Sequence, residues 1–569
     1  MSQDSGQQGQ AIPISSLGPD IYYLILEQID NREDLQNLCL VSKEISRMAT
    51  MRLHRRIIIG PPDPRPPRWS LFSGEPGQRQ KQPWGDYHPL LCRLFDENNT
   101  DLRNAVHEVE IGTFYPYEIR QSIWPELESM NALPRLVRAL PNLKLFRIRS
   151  TIPITNDFIH ELCNHRNQPE LHLLDEDSQR DEIMDMPCVK TIHTSVNPFN
   201  ENRMDSRGNS YTEPNREILK AQKLFLACPN LRSYAISLYG NYGGCVFVIP
   251  QHPQIRSFQL SGTEKFPALE ELSLDGYHFG TDEWPHWRDR FPWTGLKSLS
   301  LGPQDSEGPL SLLKNYTLSL KSLKVETYAD DGPGYELPEL EVLLRSFNTL
   351  ESLTVNGYSV SSGAFSNHPN LKHFCMHTIE SPDADVERRT LGPVELYDLD
   401  INCPQLESLE IDLDRDGEWP QDMLGIIAGG FQNLRSLTIH FELGIKAAIS
   451  NGPSGSLFGR DSREDDEKAF IKPILDENSA QNLVKMLVEL RVQSKQSQFR
   501  RITLKQGERL RRFPQWPPGY SKWEEEHARS FEIELPFILG GEAQMKDLSD
   551  RGIMGMGLPP PPLVQFSLT

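Results

Sequence analysis

One six-residue pattern constrains this 569-residue chain more than any other feature. An apolar residue, then Lys, Arg or Glu, then Ser, then apolar-x-apolar occurs at LRSYAI (Leu231), IRSFQL (Ile255), LKSLSL (Leu296), LKSLKV (Leu320), LESLTV (Leu350), LESLEI (Leu406) and LRSLTI (Leu434). Looser members are VHEVEI (Val106), LKLFRI (Leu143), VKTIHT (Val189), LEELSL (Leu269), LKHFCM (Leu371) and FRRITL (Phe499). Each ends in period-two alternation, the mark of a short strand with one buried face. None can cover that face alone, so the units must stack on one another.

Proline corners such as Cys228-Pro229-Asn230, His368-Pro369-Asn370 and Cys403-Pro404-Gln405 introduce several strands, ending the preceding element and turning the chain. Between strands lie helical stretches, with Leu340, Leu343, Leu344 and Phe347 on one face and Met423, Ile427 and Phe431 on another. Strand, turn and helix in repetition resemble a leucine-rich-repeat solenoid, which implies an α/β fold with parallel strands on the concave face and helices outside. Spacings between motif starts run from 14 to 65 residues, so the array is irregular beside the regular period of about 20–29. Tyr239, Tyr277, Tyr328 and Tyr358 stand eight positions beyond the first leucine in four units, and read as a packed rim with a ligand stripe as the alternative. Insertions near 151–186 and 445–475 are expected to leave the array as loops.

Residues 13–58 form a different unit. Ile21, Ile25 and Ile29 make one helical stripe, Tyr22 and Leu26 a second, and Leu35, Leu38, Val41, Ile45 and Met48 continue on two more short helices. A helix apolar nearly all round must be covered by the rest of the chain or by another protein. Leu17, Asp20, Ile21, Ile25, Leu26 and Ile29, then Asp34, Leu35, Leu38 and the VSK of Val41–Lys43, resemble the F-box motif. Its proline is displaced to Pro19, and Ile45 stands where a tryptophan is common. Together with the repeats, the chain is similar to F-box/leucine-rich-repeat proteins of the fungal type. That resemblance implies a three-helix clamp whose Leu17, Pro19, Ile21, Ile25, Leu26, Ile29, Leu35, Leu38, Val41 and Ile45 touch a Skp-type adaptor, and through it a cullin. The alternative is an ordinary helical cap on the following domain.

Lys plus Arg number 59 against 79 Asp plus Glu, a net charge of −20, which opposes nonspecific attraction to nucleic acid or anionic lipid. Apolar residues at 37% with a mean hydropathy of −0.50 describe a folded chain, and no apolar run reaches a membrane span. The N-terminus lacks a secretory pattern, and eight scattered cysteines without a CxxC pair read as buried free thiols of a cytoplasmic or nuclear protein. Residues 59–89 read as a Pro/Arg-rich linker, 90–512 as the solenoid, 513–545 as a C-terminal helix (Ser521 capping with Glu524) and strand, and 546–569 as a flexible Pro/Gly tail.

Three patterns imitate chemistry. His160 and His165 lie five apart, where a zinc-protease helix needs four. Asp412, Asp414, Asp416 and Gly417 open like a calcium loop, but its twelfth position is Met423, which favours a solvated strand exit. Gly552, Gly555 and Gly557 follow no strand. The basic group Arg500, Arg501, Lys505, Arg509, Arg511 and Arg512 reads as a solvated face, with an acidic partner or nucleic acid as the alternative. With no coherent catalytic set, the chain reads as non-enzymatic, without cofactor or metal. The F-box resemblance implies a substrate-recognition subunit of an SCF-type ubiquitin ligase; the alternative is a repeat scaffold outside a ligase. Alternation aims Arg147 and Arg149, Lys324 and Glu326, Thr354 and Asn356, Cys375 and His377, Glu410 and Asp412, and Thr438 and His440 at a protein substrate.

Overall fold

The structure, a computed structural model, describes residues 19–29, 31–59, 87–112, 131–149, 154–176, 185–196, 202–204, 210–212, 216–238, 257–302, 307–316, 318–326, 335–378, 380, 388–443, 473–507, 528–536, 542–549 and 564–567. These fall into two compact units, the first ending at His193 and the second running on from Thr194.

The first unit opens with three short helices, α1 (Pro19–Glu27), α2 (Arg32–Leu38) and α3 (Lys43–Leu53). Local chemistry sets their starts. Asn31 Oδ1 accepts from the Glu33 amide at 2.9 Å, and Ser42 Oγ from the Ile45 amide at 3.2 Å. Leu26, Leu35 and Ala49 form the core between them, with Ile29, Leu38, Met48 and Leu53 packed around it. Arg52 donates to the Glu27 carbonyl at 3.2 Å, tying α3 to the end of α1.

Directly behind α3 the chain becomes β1 (Arg56–Ile59), so a ladder strand begins inside the segment assigned to the helical unit. It pairs in parallel with β2 (Glu108–Ile111), β2 with β3 (Leu145–Ile148), and β3 with β4 (Glu170–Glu176). Residues 156–176, expected within a looped insertion, are therefore part of the ladder and its helices. Helix α4 (Asn156–Asn164) and β4 make a further repeat, which the pattern missed because Leu171 and Leu173 alternate without the Lys-Ser lead. A further strand, β5 (Val189–Val196), stands where the two units meet in sequence.

Among the described residues of the second unit, one parallel ladder runs through β6 (Ser233–Leu238), β7 (Glu271–Asp275), β8 (Ser298–Leu301), β9 (Ser322–Glu326), β10 (Ser352–Asn356), β11 (His373–His377), β12 (Ser408–Leu413), β13 (Ser436–Phe441) and β14 (Arg501–Gln506). Leu299, Leu323, Leu353, Phe374, Leu409 and Leu437 share one buried rung, and Leu301, Val325, Val355, Met376, Ile411 and Ile439 the next. Helices such as α5 (Pro338–Ser346), α6 (Pro393–Asn402), α7 (Gln421–Gly429) and α8 (Glu477–Gln493) connect the strands and bury one face each.

The charged second position of the motif has a visible role. Lys297 meets Glu270 at 2.7 Å, Glu351 meets both Lys321 (2.8 Å) and Lys372 (2.9 Å), and Arg435 faces Glu407 at 3.8 Å. Opposite signs face each other across most neighbouring strands, Lys297–Lys321 and Arg435–Arg500 being the like-charged exceptions, and favour the in-register pairing, although such exposed pairs add little stability each. The two lysines hold the Glu351 carboxyl down at about 2.

One strict motif forms no strand. In IRSFQL, Phe258 is buried in an aromatic cluster with Phe225, Tyr277 and Trp287, and its amide donates to Tyr277 Oη at 2.8 Å. Gln222 takes both backbone groups of Gln259, accepting from its amide at 2.7 Å and donating to its carbonyl at 2.8 Å. Side chains replace the ladder here. Tyr277 and Tyr358 are buried, as a packed rim requires, while Tyr239 and Tyr328 lie outside the described residues.

After β14 the ladder turns antiparallel through β15 (Arg529–Glu534), β16 (Glu542–Asp547) and β17 (Val564–Ser567). Residues 546–569, expected as a flexible tail, thus include a strand paired to Glu542–Met545. The expected helix near Ser521 and most of the 59–89 linker, the 445–475 insertion and Gly552–Gly557 lie outside the described residues. Among the described residues no helix is long and apolar enough to cross a membrane. None of the seven described cysteines forms a disulfide; Cys228 and Cys403 are buried, but Cys92 is exposed, contrary to the expectation of uniform burial.

Candidate functional site

Two surfaces collect the residues singled out from the sequence. The first is the outer face of the N-terminal helices. A residue advances about 100° around a helix, so Tyr22 and Leu26 share the inner side of α1 while Ile21, Leu24 and Ile25 share the outer. Tyr22 and Leu26 are buried, whereas Ile25 is 46% and Leu24 61% exposed. The α2–α3 turn adds Leu40 at 86% and Val41 at 63%.

The ten residues expected to contact an adaptor therefore separate. Ile21, Ile25 and Val41 are exposed; Ile29, Leu38 and Ile45 are half-buried. Leu26 and Leu35 form the unit's own core, so they hold the helices together and cannot offer a free surface. Pro19 opens α1, and Leu17 lies outside the described residues. Leu24, Leu40 and Met51 were missed, although the near-circular apolar pattern of α1 already implied that some side chains must face out.

The second surface is the polar face of the ladder. Register sets Glu326, Asn356, His377, Asp412, His440 and Lys505 side by side on successive strands. The rung before it holds Lys324, Thr354, Cys375, Glu410, Thr438 and Thr503. His377 Nδ1 donates to Asp412 Oδ1 at 2.7 Å, and the Thr378 amide to Asp412 Oδ2 at 2.6 Å. His440 Nε2 donates to Glu410 Oε1 at 2.7 Å, and Lys505 Nζ reaches the same oxygen at 3.5 Å. The two imidazole rings stack with centroids 3.8 Å apart.

Grouping on one face was legible; exposure was not. Asp412 is 1% exposed, and His377 and His440 are buried too. Arg388, itself almost buried, lies against Asp412 (3.3 Å), Asp414 (2.6 Å) and the Leu413 carbonyl (3.3 Å). The three thus correct the expectation of a free recognition face, and Asp412 corrects that of a solvated strand exit. Lys324, Glu326, Asn356 and Glu410 remain half-exposed, with Asn356 donating to Glu326 at 2.8 Å. In the first unit Arg147 pairs with Glu108 at 2.9 Å and Arg149 with Glu110 at 2.8 Å, so both are neutralised in place.

Electrostatics follows from these contacts. The bond from His440 holds the Glu410 carboxyl down at about 2, with Lys505 helping. Burial lowers His440, so its ring favours the neutral form. Burial, then Glu410 and Asp412, pushes the Cys375 thiol far up, which leaves it protonated and inert as a nucleophile. Although burial opposes its charge, Arg388 is held protonated by Asp412 and Asp414. His377, Asp412 and His440 are the described residues that could hold a metal ion.

The remaining candidates are structural. His160 contacts Asn164 at 2.9 Å, while His165 Nε2 bonds the Leu140 carbonyl at 3.0 Å, so the two serve separate contacts. Arg500 and Arg501 are exposed and Lys505 joins the polar ladder, so the described part of the basic group forms no single patch.

No protein-family model matches the chain, and no curated protein does. Among solved structures the chain is similar to one described as the crystal structure of a TLR13–ssRNA13 complex, at 13% identity and a TM-score of 0.32. The match covers 60% of this chain and 47% of that one, so the chain spans about half the length of its structural neighbour. So distant a likeness carries no argument. The leucine-rich-repeat-like character rests on the parallel register of the strands and their two buried rungs.

Proposed function

We propose that this chain is a non-catalytic substrate-recognition subunit of an SCF-type ubiquitin ligase. In this reading α1–α3 dock a Skp-type adaptor, the adaptor joins a cullin, and the repeats hold a protein substrate. One observation carries it: the N-terminal unit closes its own core around Leu26, Leu35 and Ala49, yet leaves Ile21, Leu24, Ile25, Leu40 and Val41 in solvent. Exposed aliphatic side chains in such number are costly unless something covers them. The mechanism is proximity. A substrate held beside a charged ubiquitin-conjugating enzyme presents its lysine at high effective concentration, while the chemistry stays on other subunits. The reading places the protein in the cytoplasm or nucleus and needs no cofactor, nucleic acid or membrane.

The second reading, a repeat scaffold outside any ligase, is favoured by the paired charges on the ladder, which suit macromolecular contact without implying an adaptor. Purification of wild type and Ile25→Asp beside adaptor and cullin separates the two. Docking predicts that wild type retains both subunits and Ile25→Asp loses them. Equal retention by both removes Ile25 from the interface, and absence from both favours the scaffold.

A further inference from the structure

We propose that His377, Asp412 and His440 form a binding site for a divalent transition metal of the zinc class. Their candidate ligand atoms all lie within 4.8 Å of one another, and all three residues are buried. They come from three adjacent parallel strands at one level of the register. Strand spacing of about 4.8 Å brings such side chains to a common point without distorting the backbone.

The donor set selects the class of ion. Two imidazoles and one carboxylate suit zinc, cobalt or nickel, whereas calcium and magnesium take oxygen ligands almost alone. Tetrahedral zinc with bonds of about 2.0–2.1 Å holds its ligand atoms about 3.4 Å apart, so closure draws the three together and turns the stacked imidazoles until both lone pairs meet the ion. One second-shell bond is already in place: His440 gives its Nε2 proton to Glu410, which in the neutral ring makes His440 Nδ1 the lone-pair nitrogen, and carboxylate–histidine pairing of this kind orients a metal ligand. The His377 Nδ1–Asp412 Oδ1 bond joins two of the proposed ligands, and the metal would take the place of the proton they share.

Local charge points the same way. Asp412, Asp414, Glu380, Glu410 and Glu442 surround Arg388, Arg415 and Lys505; with burial pushing the Glu442 carboxyl up to about 7, the excess is one to two negative charges around the histidines. A divalent cation balances it. Arg388 is the competing cation on Asp412, and it keeps Asp414 and the Leu413 carbonyl when a metal takes that carboxylate. A bound ion would cross-link three repeats beneath the half-exposed polar face. This assignment is independent of whether α1–α3 dock an adaptor.

The test uses the full chain, stripped with chelator and titrated with Co²⁺ and then Zn²⁺. Wild type is expected to take up about one ion per chain, give the visible bands of tetrahedral Co²⁺, lose them to Zn²⁺ and melt at a higher temperature with Zn²⁺. His377→Gln and His440→Gln are each expected to weaken binding by about tenfold or more and to lose the bands. Absence of the bands in wild type overturns the proposal whatever the variants do. So does Co²⁺ binding of equal strength in wild type and in a chain carrying both His377→Gln and His440→Gln, since the ions would then sit elsewhere.

Discussion

The guanidinium of Arg491 donates to the carbonyl oxygen of Phe431 at 2.8 Å, from a helix sixty residues further along the chain. It also donates to the carbonyls of Gly430 (2.7 Å), Leu434 (3.0 Å) and Ser497 (2.6 Å), and stacks 4.6 Å from the Phe499 ring. The Gly430 and Phe431 carbonyls, with that of Ala428 at 3.3 Å, lie at the end of α7, where a helix leaves acceptors without intrahelical partners and where Phe431 takes a left-handed φ of 47°. A buried cation closes the cap. Arg491→Met is expected to cost about 3–5 kcal/mol, because several carbonyls lose their donor together. Arg491→Lys should recover little, since an ammonium cannot reproduce the fork. Hydrogen exchange of the 421–434 amides reads this directly; unchanged protection in Arg491→Met would refute the capping role.

Glu283 sets a pH dependence. It is buried beside Tyr277, which donates to it, and Trp287, whose Nε1 donates at 2.5 Å. Burial pushes its carboxyl up to about 7 from an ordinary value near 4.5. The folded state therefore holds a proton that the unfolded state has released, and stability falls as pH rises from about 4.5 through 7, by at most about 3 kcal/mol. Glu283→Gln keeps both bonds without the charge. Thermal melts at pH 5 and pH 8 should differ less for that variant than for wild type; an equal difference would remove Glu283 as the cause.

Neighbouring residues on α1 should behave oppositely. Leu26→Ala empties the small N-terminal core and is expected to cost about 2–5 kcal/mol, enough to expose α1–α3 to protease. Ile25→Asp, on the solvent side, should change stability by about 0.5 kcal/mol or less. Limited proteolysis distinguishes them, and similar cleavage of both would mean that the two faces of α1 are not as placed.

Two glycines separate backbone strain from crowding. Gly276 (φ 69°) and Gly417 (φ 75°) are both left-handed. A Cβ on Gly276 would lie 2.7 Å from the Leu238 carbonyl oxygen, while one on Gly417 meets nothing within 4 Å. Gly417→Ala should cost about 1 kcal/mol and Gly276→Ala clearly more, measured by urea denaturation. Equal losses would show that the approach of Gly276 to Leu238 relaxes freely.

Twelve of the thirteen strand positions marked by the motif or its looser forms became strands, because alternation of period two has one solution when one face must be dry. IRSFQL was the exception, since Gln222 and Tyr277 supplied the backbone partners that a neighbouring strand would have given. The repeat at 156–176 was harder to read, as its strand lacks the Lys-Ser lead.

Taken alone, the amino-acid order determined most of the strands and the side of each strand on which His377, Glu410, Asp412 and His440 project, because these are consequences of local periodicity. Only the tertiary structure decided what covers those side chains. Arg388 comes from a connection between strands and closes over Asp412, and Leu26 and Leu35 turn inward because Ala49 is there to receive them. Periodicity assigns a side; burial depends on which distant segment packs against it, and that is set by three-dimensional proximity, which no local pattern encodes.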